Sequence, residues 1–337
     1  MSRFIGVDLH KTAFTVCFME GEEKRFETYK IDVMERFREN LRADDEVALE
    51  TTTNTRHFVG RIRDRVQGIH VINPFQFKVI SHSVKKTDAN DAEKMAFFLS
   101  KGMLPEVRMK DEQYAELESL ANTRGKLVQL KTALKNKIHN ILNAQGIVTK
   151  KECLSSGKGL DRVLEYPVSA VARIELEVII EQIKGLNAGI AKIDKLLSDK
   201  GKDLDGHEGI TSIKGIGDKG AAVLLSVIGD INNFEDEKKL AAYFGIVPRV
   251  SNSNETNHQG RITKQGSKLG RTTLVQCTLI AIRYSNYLRV FYEKLKAKKG
   301  SGKAIIATAK KLLGIIYLTL KNKWVFEDFS NFVIKEA

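Results

Sequence analysis

Three β-type runs of mixed apolar and polar residues open the chain: RFIGVDLH, TAFTVCFM and KRFETYKI. The short polar turns HK and EGEE separate them, which predicts an antiparallel meander. The pattern then alternates between types. It gives a helix around Val33 to Arg42, the strand VALE, a helix around Asn54 to Arg65, and the strand IHVIN. A basic segment, VISHSVKK, leads into a helix from Ala89 to Lys101. Three hairpin strands followed by alternating helices and strands predict an α/β sheet with both faces covered.

Beyond Pro105 the period changes. Leu117, Leu120, Leu127, Leu130, Leu134, Ile138 and Ile141 recur at steps of three and four, the signature of one long amphipathic helix. Ile179, Ile183, Leu186, Ile190, Ile193 and Leu197 form a second run with heptad regularity. Gly146, Gly157, Gly159 and Pro167 lie between them. Two such helices either fold back as an antiparallel hairpin or pair with another subunit as a coiled coil. The expected division is an α/β domain over 1–105, a helical coiled-coil linker or oligomerisation region over 106–205, and a mainly helical domain over 206–337.

In that last part, ITSIKGIGDKGAAVLLSVIG places Gly215 and Gly217 in a tight turn before an apolar helix. This is the helix-hairpin-helix pattern, whose glycines let backbone N–H groups approach a phosphate. The same glycines also suit plain packing against a neighbouring domain. After a helix ending at Tyr243, a long polar loop is expected to carry Ser251 and Ser253, followed by a basic stretch.

Charge sharpens this outline. The chain has 337 residues, enough for two or three domains, and a formal net charge of +13. From His258 to Lys323 there are 15 Lys or Arg and one acid, Glu293; from Ser119 to Lys151 there are 7 basic residues and no acid. Clustered acids sit mostly in the first hundred positions. Such segregation points to a polyanionic partner, nucleic acid, rather than to a merely solvated surface. The candidate contacts are Lys85 and Lys86, Lys214 and Lys219 by the glycine turn, and Arg249, Arg261, Lys264, Lys268 and Arg271. Cys17, Cys153 and Cys277 are far apart and lack metal-site spacing, which argues against a disulfide framework or a zinc site. The opening MSRFIGVD gives no secretory signal, and the apolar stretches are too short and too charged to cross a bilayer. A cytoplasmic, nucleoid-associated protein without a membrane partner is expected.

Four acids carry the chemistry. Asp8 closes the first strand, Glu50 closes VALE, and Asp88 and Asp91 open the helix of KKTDANDAEKMA. Acids ending apolar strands are costly to bury unless a positive charge meets them, and an i, i+3 pair shares one face of its helix. Hard oxygen donors converging from two strand ends and a helix suit Mg²⁺, with Mn²⁺ as its substitute. An ion held there activates a nucleophile and stabilises a leaving oxygen on phosphate. Strand order and acid placement are those of a ribonuclease-H-like arrangement. His10 and His57 lie near these acids, but an oxygen cluster assigns them a supporting or surface role, and Lys11 is placed to screen the carboxylates or meet phosphate. A serine becomes a nucleophile only when its proton is removed or stabilised, whereas serine in an Asn-rich segment ordinarily serves as a turn residue.

Taken from end to end, the chain resembles the DEDD transposases of bacterial insertion sequences, serine-dependent recombinases guided by a structured bridge RNA. The resemblance rests on FIGVDLHK, LETT, KTDANDAEKMA, the long heptad helix, GIGDKGAAVLL, and FGIVPR with the stretch through ITKQGSKLGR. It implies a RuvC-like domain in which Asp8, Glu50, Asp88 and Asp91 hold Mg²⁺. It also implies a nucleophilic serine five positions beyond Pro248, which is Ser253, attacking a DNA phosphate to form a phosphoserine link. Asn254 stands where the family usually has glycine, which leaves Ser251 as the alternative. The implied partners are donor and target DNA, a non-coding guide RNA, and further copies of the chain, up to a tetramer, with acids and serine supplied by different subunits. Two other readings remain: a metal-dependent junction endonuclease using water, and a non-catalytic scaffold whose acids cap secondary structure. Tyr284, Tyr287, Phe291 and Tyr292 suit base stacking or core packing, and Trp324 suits packing.

Overall fold

The computed structural model describes residues 3–81, 87–253 and 256–327, and over 251–253 and 256–259 it describes the backbone alone. The chain divides into two compact units, Met1–Met109 and Lys110–Ala337.

In the first unit the meander is β1 (Phe4–Leu9), β2 (Ala13–Glu20) and β3 (Glu23–Lys30), followed by α1 (Met34–Glu39), β4 (Glu46–Glu50), α2 (Thr55–Ile62) and β5 (Gly68–Ile72). Helices α3 (Pro74–Ile80) and α4 (Asp88–Ser100) complete it. The sheet order is β3-β2-β1-β4-β5. β2 runs antiparallel to β1 and β3, while β4 runs parallel to β1 and β5. The expected meander and mixed α/β sheet are therefore present.

Period two sorts the strand side chains onto two faces. Ile5, Val7, Leu9, Val47 and Leu49 join Phe37 of α1 and Phe58 and Ile62 of α2 in one core. Phe14 anchors it, meeting Phe37 and Phe58 edge-on at centroid separations of 5.2 and 4.9 Å. On the opposite face, Ala48, Ile72 and Cys17 pack with Met95, Ala92 and Ala96 of α4. One backbone position sets how closely α4 approaches. A Cβ on Gly6 would lie 1.9 Å from the Ala92 carbonyl oxygen and 2.6 Å from the Ala96 nitrogen. No larger residue fits there with α4 in place. Behind β4, a buried ion pair ties the chain start to the next turn: Arg3 Nε and Nη2 donate to the Asp45 carboxylate at 2.8 and 2.6 Å.

The second unit begins with α5 (Glu112–Ala144) and continues through α6 (Gly157–Val163) to α7 (Ala170–Gly201). Contacts of Arg124 with Asp194, Lys131 with Asn187 and Lys137 with Glu175 run in opposite chain directions, so α5 and α7 form an antiparallel hairpin within one chain. Of the two arrangements the heptads allow, the structure shows this one. Ile138, Ile141 and Leu142 pack with Leu160, Val163, Leu176 and Ile180 at its tip. Its base joins a larger core with α8 (His207–Thr211), α9 (Asp218–Ile228), α10 (Glu237–Tyr243), α11 (Lys268–Tyr284), α12 (Asn286–Lys299) and α13 (Ser301–Asn322). Helix α9 lies at the centre of that core, with every residue from Ala221 to Ile228 buried.

One element differs in kind from expectation. The stretch read as a polar loop is a β-hairpin, with β6 (Pro248–Ser253) antiparallel to β7 (Thr256–Ile262) and a bulge near Pro248. Its Ser, Asn, Thr and His residues lack apolar alternation, so nothing in the pattern marks them as strand. The three cysteines are free, as their spacing implied. Among the described residues no helix is long and apolar enough to cross a membrane.

Candidate metal centre and nucleophile-bearing hairpin

Asp8 is the penultimate residue of β1, and Glu50 is the last of β4. Parallel pairing sets Val7 opposite Leu49, so Asp8 and Glu50 follow at the same level. Both belong to the residue set alternating away from the Val7–Leu49 core, on the face that α4 covers. Thr55 Oγ1 donates to the Glu50 carbonyl at 3.0 Å, fixing the end of β4 against the start of α2.

Helix α4 supplies the other acids. Thr87 caps it by accepting from Asn90 N at 3.2 Å, which places Asp88 and Asp91 in the first turn. There the positive end of the helix dipole favours carboxylates. Gly6 admits α4 onto β1, and the Asp88 end of the helix therefore comes to the Asp8 end of the strand. Asp8 is largely buried, whereas Asp88 is exposed. Burial pushes the Asp8 carboxyl above its usual range; the nearby charges of Asp88 and Asp91 add to this, and His10 opposes it.

His10 is the addition that sequence reasoning placed in a supporting or surface role. Its Nε2 lies 3.3 Å from Asp8 Oδ2 and 3.4 Å from Asp88 Oδ2. Asp8, His10 and Asp88 each offer one donor atom, and these atoms lie within 4.8 Å of one another. Two carboxylates and an imidazole at that spacing fit a divalent cation. The usable signal was position: His10 is two residues beyond Asp8 at a strand end, where alternate side chains share a face. Asp91 is half-buried in the same helical turn, with Lys94 Nζ 4.0 Å from its carboxylate.

The candidate serines lie in the second unit. Ser253 ends β6 and pairs across the hairpin with Thr256, while Ser251 pairs with His258. Asn254 and the lysines at 85 and 86 lie outside the described residues.

The basic candidates divide by what they already hold. Lys219 Nζ donates to Asp194 at 3.2 Å. Arg271 donates to the Phe244 and Gly266 carbonyls at 3.0 and 3.1 Å, and burial lowers its pKa. Arg249 reaches the Thr263 carbonyl at 3.4 Å. Lys214, Arg261, Lys264 and Lys268 are exposed. At the glycine turn, Gly215 has φ 113°, and a Cβ there would lie 2.6 Å from Ala281 N of α11. Close packing therefore accounts for Gly215. Gly217, the N-cap of α9, faces open space.

Comparison with known proteins adds to this geometry. A family model described as transposase, of the DEDD type, matches residues 5–146. A second, described as the transposase IS116/IS110/IS902 family, matches 207–293. The transposase for insertion sequence element IS1111A of Coxiella burnetii is 23% identical over 94% of this chain and 89% of its own length. A probable family 20 transposase of Pseudomonas aeruginosa is 24% identical over 83% of this chain and 84% of its own. The pilin gene-inverting protein of Moraxella lacunata is 34% identical over 35% of this chain and 38% of its own.

Proposed function

Because the chain belongs to the IS116/IS110/IS902 family of transposases, we propose that it cuts and rejoins the DNA of its own insertion sequence through a serine-linked intermediate. The gathering of Asp8, His10 and Asp88 where β1 meets α4, inside the part matched by the DEDD transposase model, carries this reading. Sheet order β3-β2-β1-β4-β5 with acids at the ends of β1 and β4 supports a ribonuclease-H-like, RuvC-like domain.

In this reading Asp8, Glu50, Asp88 and Asp91 hold Mg²⁺ or Mn²⁺. The bound ion supplies charge neutralisation at the scissile phosphate and lowers the pKa of an oxygen ligand. Ser253 Oγ attacks phosphorus, its proton passes to a base, and the bond to the departing DNA oxygen breaks. The phosphodiester energy is kept in the Ser–O–P link, so a new strand end reverses the step without ATP. Exposed Lys214, Arg261, Lys264 and Lys268 meet the phosphate backbone, with the turn at Gly217 as a further contact. Acids and serine from different copies of the chain, in an oligomer up to a tetramer, make up the composite site in this reading, on the strength of the family resemblance. A structured guide RNA selecting donor and target by base pairing completes the proposal, on the strength of the family resemblance.

The likeness to a gene-inverting protein favours rejoining over simple cleavage, since inversion cannot end with open strands. A covalent-trapping assay tests the reading. The protein is incubated with Mg²⁺, its flanking non-coding RNA and labelled donor and target DNA, then run on a denaturing gel beside Ser253→Ala and Ser251→Ala. A protease-sensitive shifted band that disappears only in Ser253→Ala is expected. Free cleaved ends in equal amount from wild type and Ser253→Ala would replace the serine with water as nucleophile.

A further inference from the structure

We propose that His10 is a direct metal ligand of this centre, and that it makes the site prefer a transition-metal ion such as Mn²⁺ over Mg²⁺. The inference rests on the reading of Asp8 and Asp88 as metal-holding acids and adds a nitrogen donor to an otherwise all-oxygen set.

The distances suit a shared ligand set as well as an ion pair. Hydrogen bonds from an imidazolium to a carboxylate settle at about 2.7–2.9 Å. His10 Nε2 stands 3.3 and 3.4 Å from its two carboxylate oxygens, longer than that optimum, within ion-pair range and nearly equidistant from both. Two donors sharing one ion at about 2.1 Å from each are separated by roughly 3.0–3.4 Å, the edge of an octahedron or tetrahedron. The imidazole thus already sits at a ligand's spacing from both acids.

Its backbone is held there from two directions. His10 N donates to Ala13 O at 2.9 Å across the β1–β2 turn. Asn54 Nδ2, at the start of α2, donates to the carbonyls of His10 and Lys11 at 3.1 and 3.2 Å. Sheet turn, strand end and helix N-terminus thus converge on one point, with the imidazole completing a three-donor face. Mg²⁺ takes oxygen ligands and dehydrates reluctantly, whereas imidazole nitrogen binds first-row transition ions well.

The test is metal binding by the full-length protein without nucleic acid, followed by calorimetry and by pulsed electron paramagnetic resonance of bound Mn²⁺. Wild type, His10→Ala and Asp8→Asn are compared, with circular dichroism verifying that each is folded. Wild type should bind Mn²⁺ more tightly than Mg²⁺ and show ¹⁴N modulation from a coordinated imidazole. His10→Ala should lose that modulation and about tenfold or more in Mn²⁺ affinity, with Mg²⁺ affinity changed by less than about threefold. Mn²⁺ affinity lost in Asp8→Asn but unchanged in His10→Ala would overturn the ligand role and leave the acid site standing. Tighter binding of both ions by His10→Ala would overturn it too, making His10 a cation that occupies the metal's place. Failure of wild type to bind either ion would remove this inference and the metal centre together, while serine trapping would still report on Ser253 separately.

Discussion

Replacing Gly6 with alanine should damage the metal centre far more than it damages the fold. The added methyl would lie 1.9 Å from Ala92 O and 2.6 Å from Ala96 N. Both are backbone atoms in the middle of α4, so no rotamer change relieves them. Opening the shorter contact to 3.0 Å, below which real Cβ contacts essentially never occur, moves the helix by about 1.1 Å. Overpacking of this kind costs about 1–3 kcal/mol, measurable as a lower urea midpoint with an unchanged slope. The movement is carried along α4 to Asp88, which now lies 3.4 Å from His10 Nε2. Misplacement of a reacting geometry by about 1 Å costs roughly a hundredfold in rate. Gly6→Ala is therefore expected to fold, bind divalent metal weakly, and exchange strands about a hundredfold more slowly. Urea unfolding, Mn²⁺ titration and a strand-exchange assay read the three consequences. A folded Gly6→Ala protein with metal affinity and exchange rate within about twofold of wild type would refute the coupling of α4 position to the site.

Arg3→Met should destabilise the first unit by about 3–5 kcal/mol in chemical unfolding, because it leaves Asp45 buried without its bidentate partner. Arg3→Met combined with Asp45→Leu should recover much of that loss, and failure to do so would assign the cost to the Arg3 guanidinium lying over the Phe18 ring, 4.9 Å from its centroid. Asp8 has its carboxyl raised by burial, so the charged form is disfavoured in the folded state. The penalty is absent below the usual value of 3.8, appears as pH rises through the folded value, and is complete at neutral pH. Metal-free Asp8→Asn should therefore melt higher than wild type at pH 7 and match it at low pH, while losing the melting-point rise that divalent metal gives wild type. Asp194 behaves oppositely: burial raises its carboxyl, but the bonds from Arg124 and Lys219 outweigh that and hold it low. Its contribution is full above the usual 3.8 and is lost as pH falls through the folded value. Asp194→Asn should cost about 1 kcal/mol at pH 7 and nothing at strongly acid pH, as read by urea midpoints across pH.

What could be read from the sequence follows from where local pattern and tertiary demand agree. Strands β1, β2 and β4 were legible because burial on both faces of the sheet makes each a short, nearly continuous apolar run. Asp8 and Glu50 stood out as the charges at the ends of two of those runs. The Asp88–Asp91 pair was legible because a helix fixes i, i+3 neighbours without tertiary help. Helix α3 lies mostly in the unassigned stretch between IHVIN and VISHSVKK even though Asn73 and Pro74 form a proper start; Asn73 accepts from Phe75 N at 3.0 Å. Hairpin β6–β7 went unread for another reason, since a ribbon of Ser, Asn, Thr and His carries no burial signal of its own.

His10 shows where pattern reading stops and geometry begins. In sequence it is a polar residue in a turn, and composition alone assigns such a histidine to the surface. Three separate constraints bring its ring to the two acids: the β1–β2 turn closed at Ala13, the Asn54 amide holding its carbonyl, and the α4 docking that Gly6 permits. None of these involves a ligand atom, yet each is required to put Nε2 between Asp8 and Asp88. In the proposed site the glycine of FIGVD matters as much as the aspartate does, because it sets how closely the helix bearing Asp88 approaches the strand bearing Asp8. A motif of this kind is better read as strand, glycine and acid together. The strand supplies the first carboxylate, the glycine lets the helix approach, and the helix brings the carboxylate that completes the site.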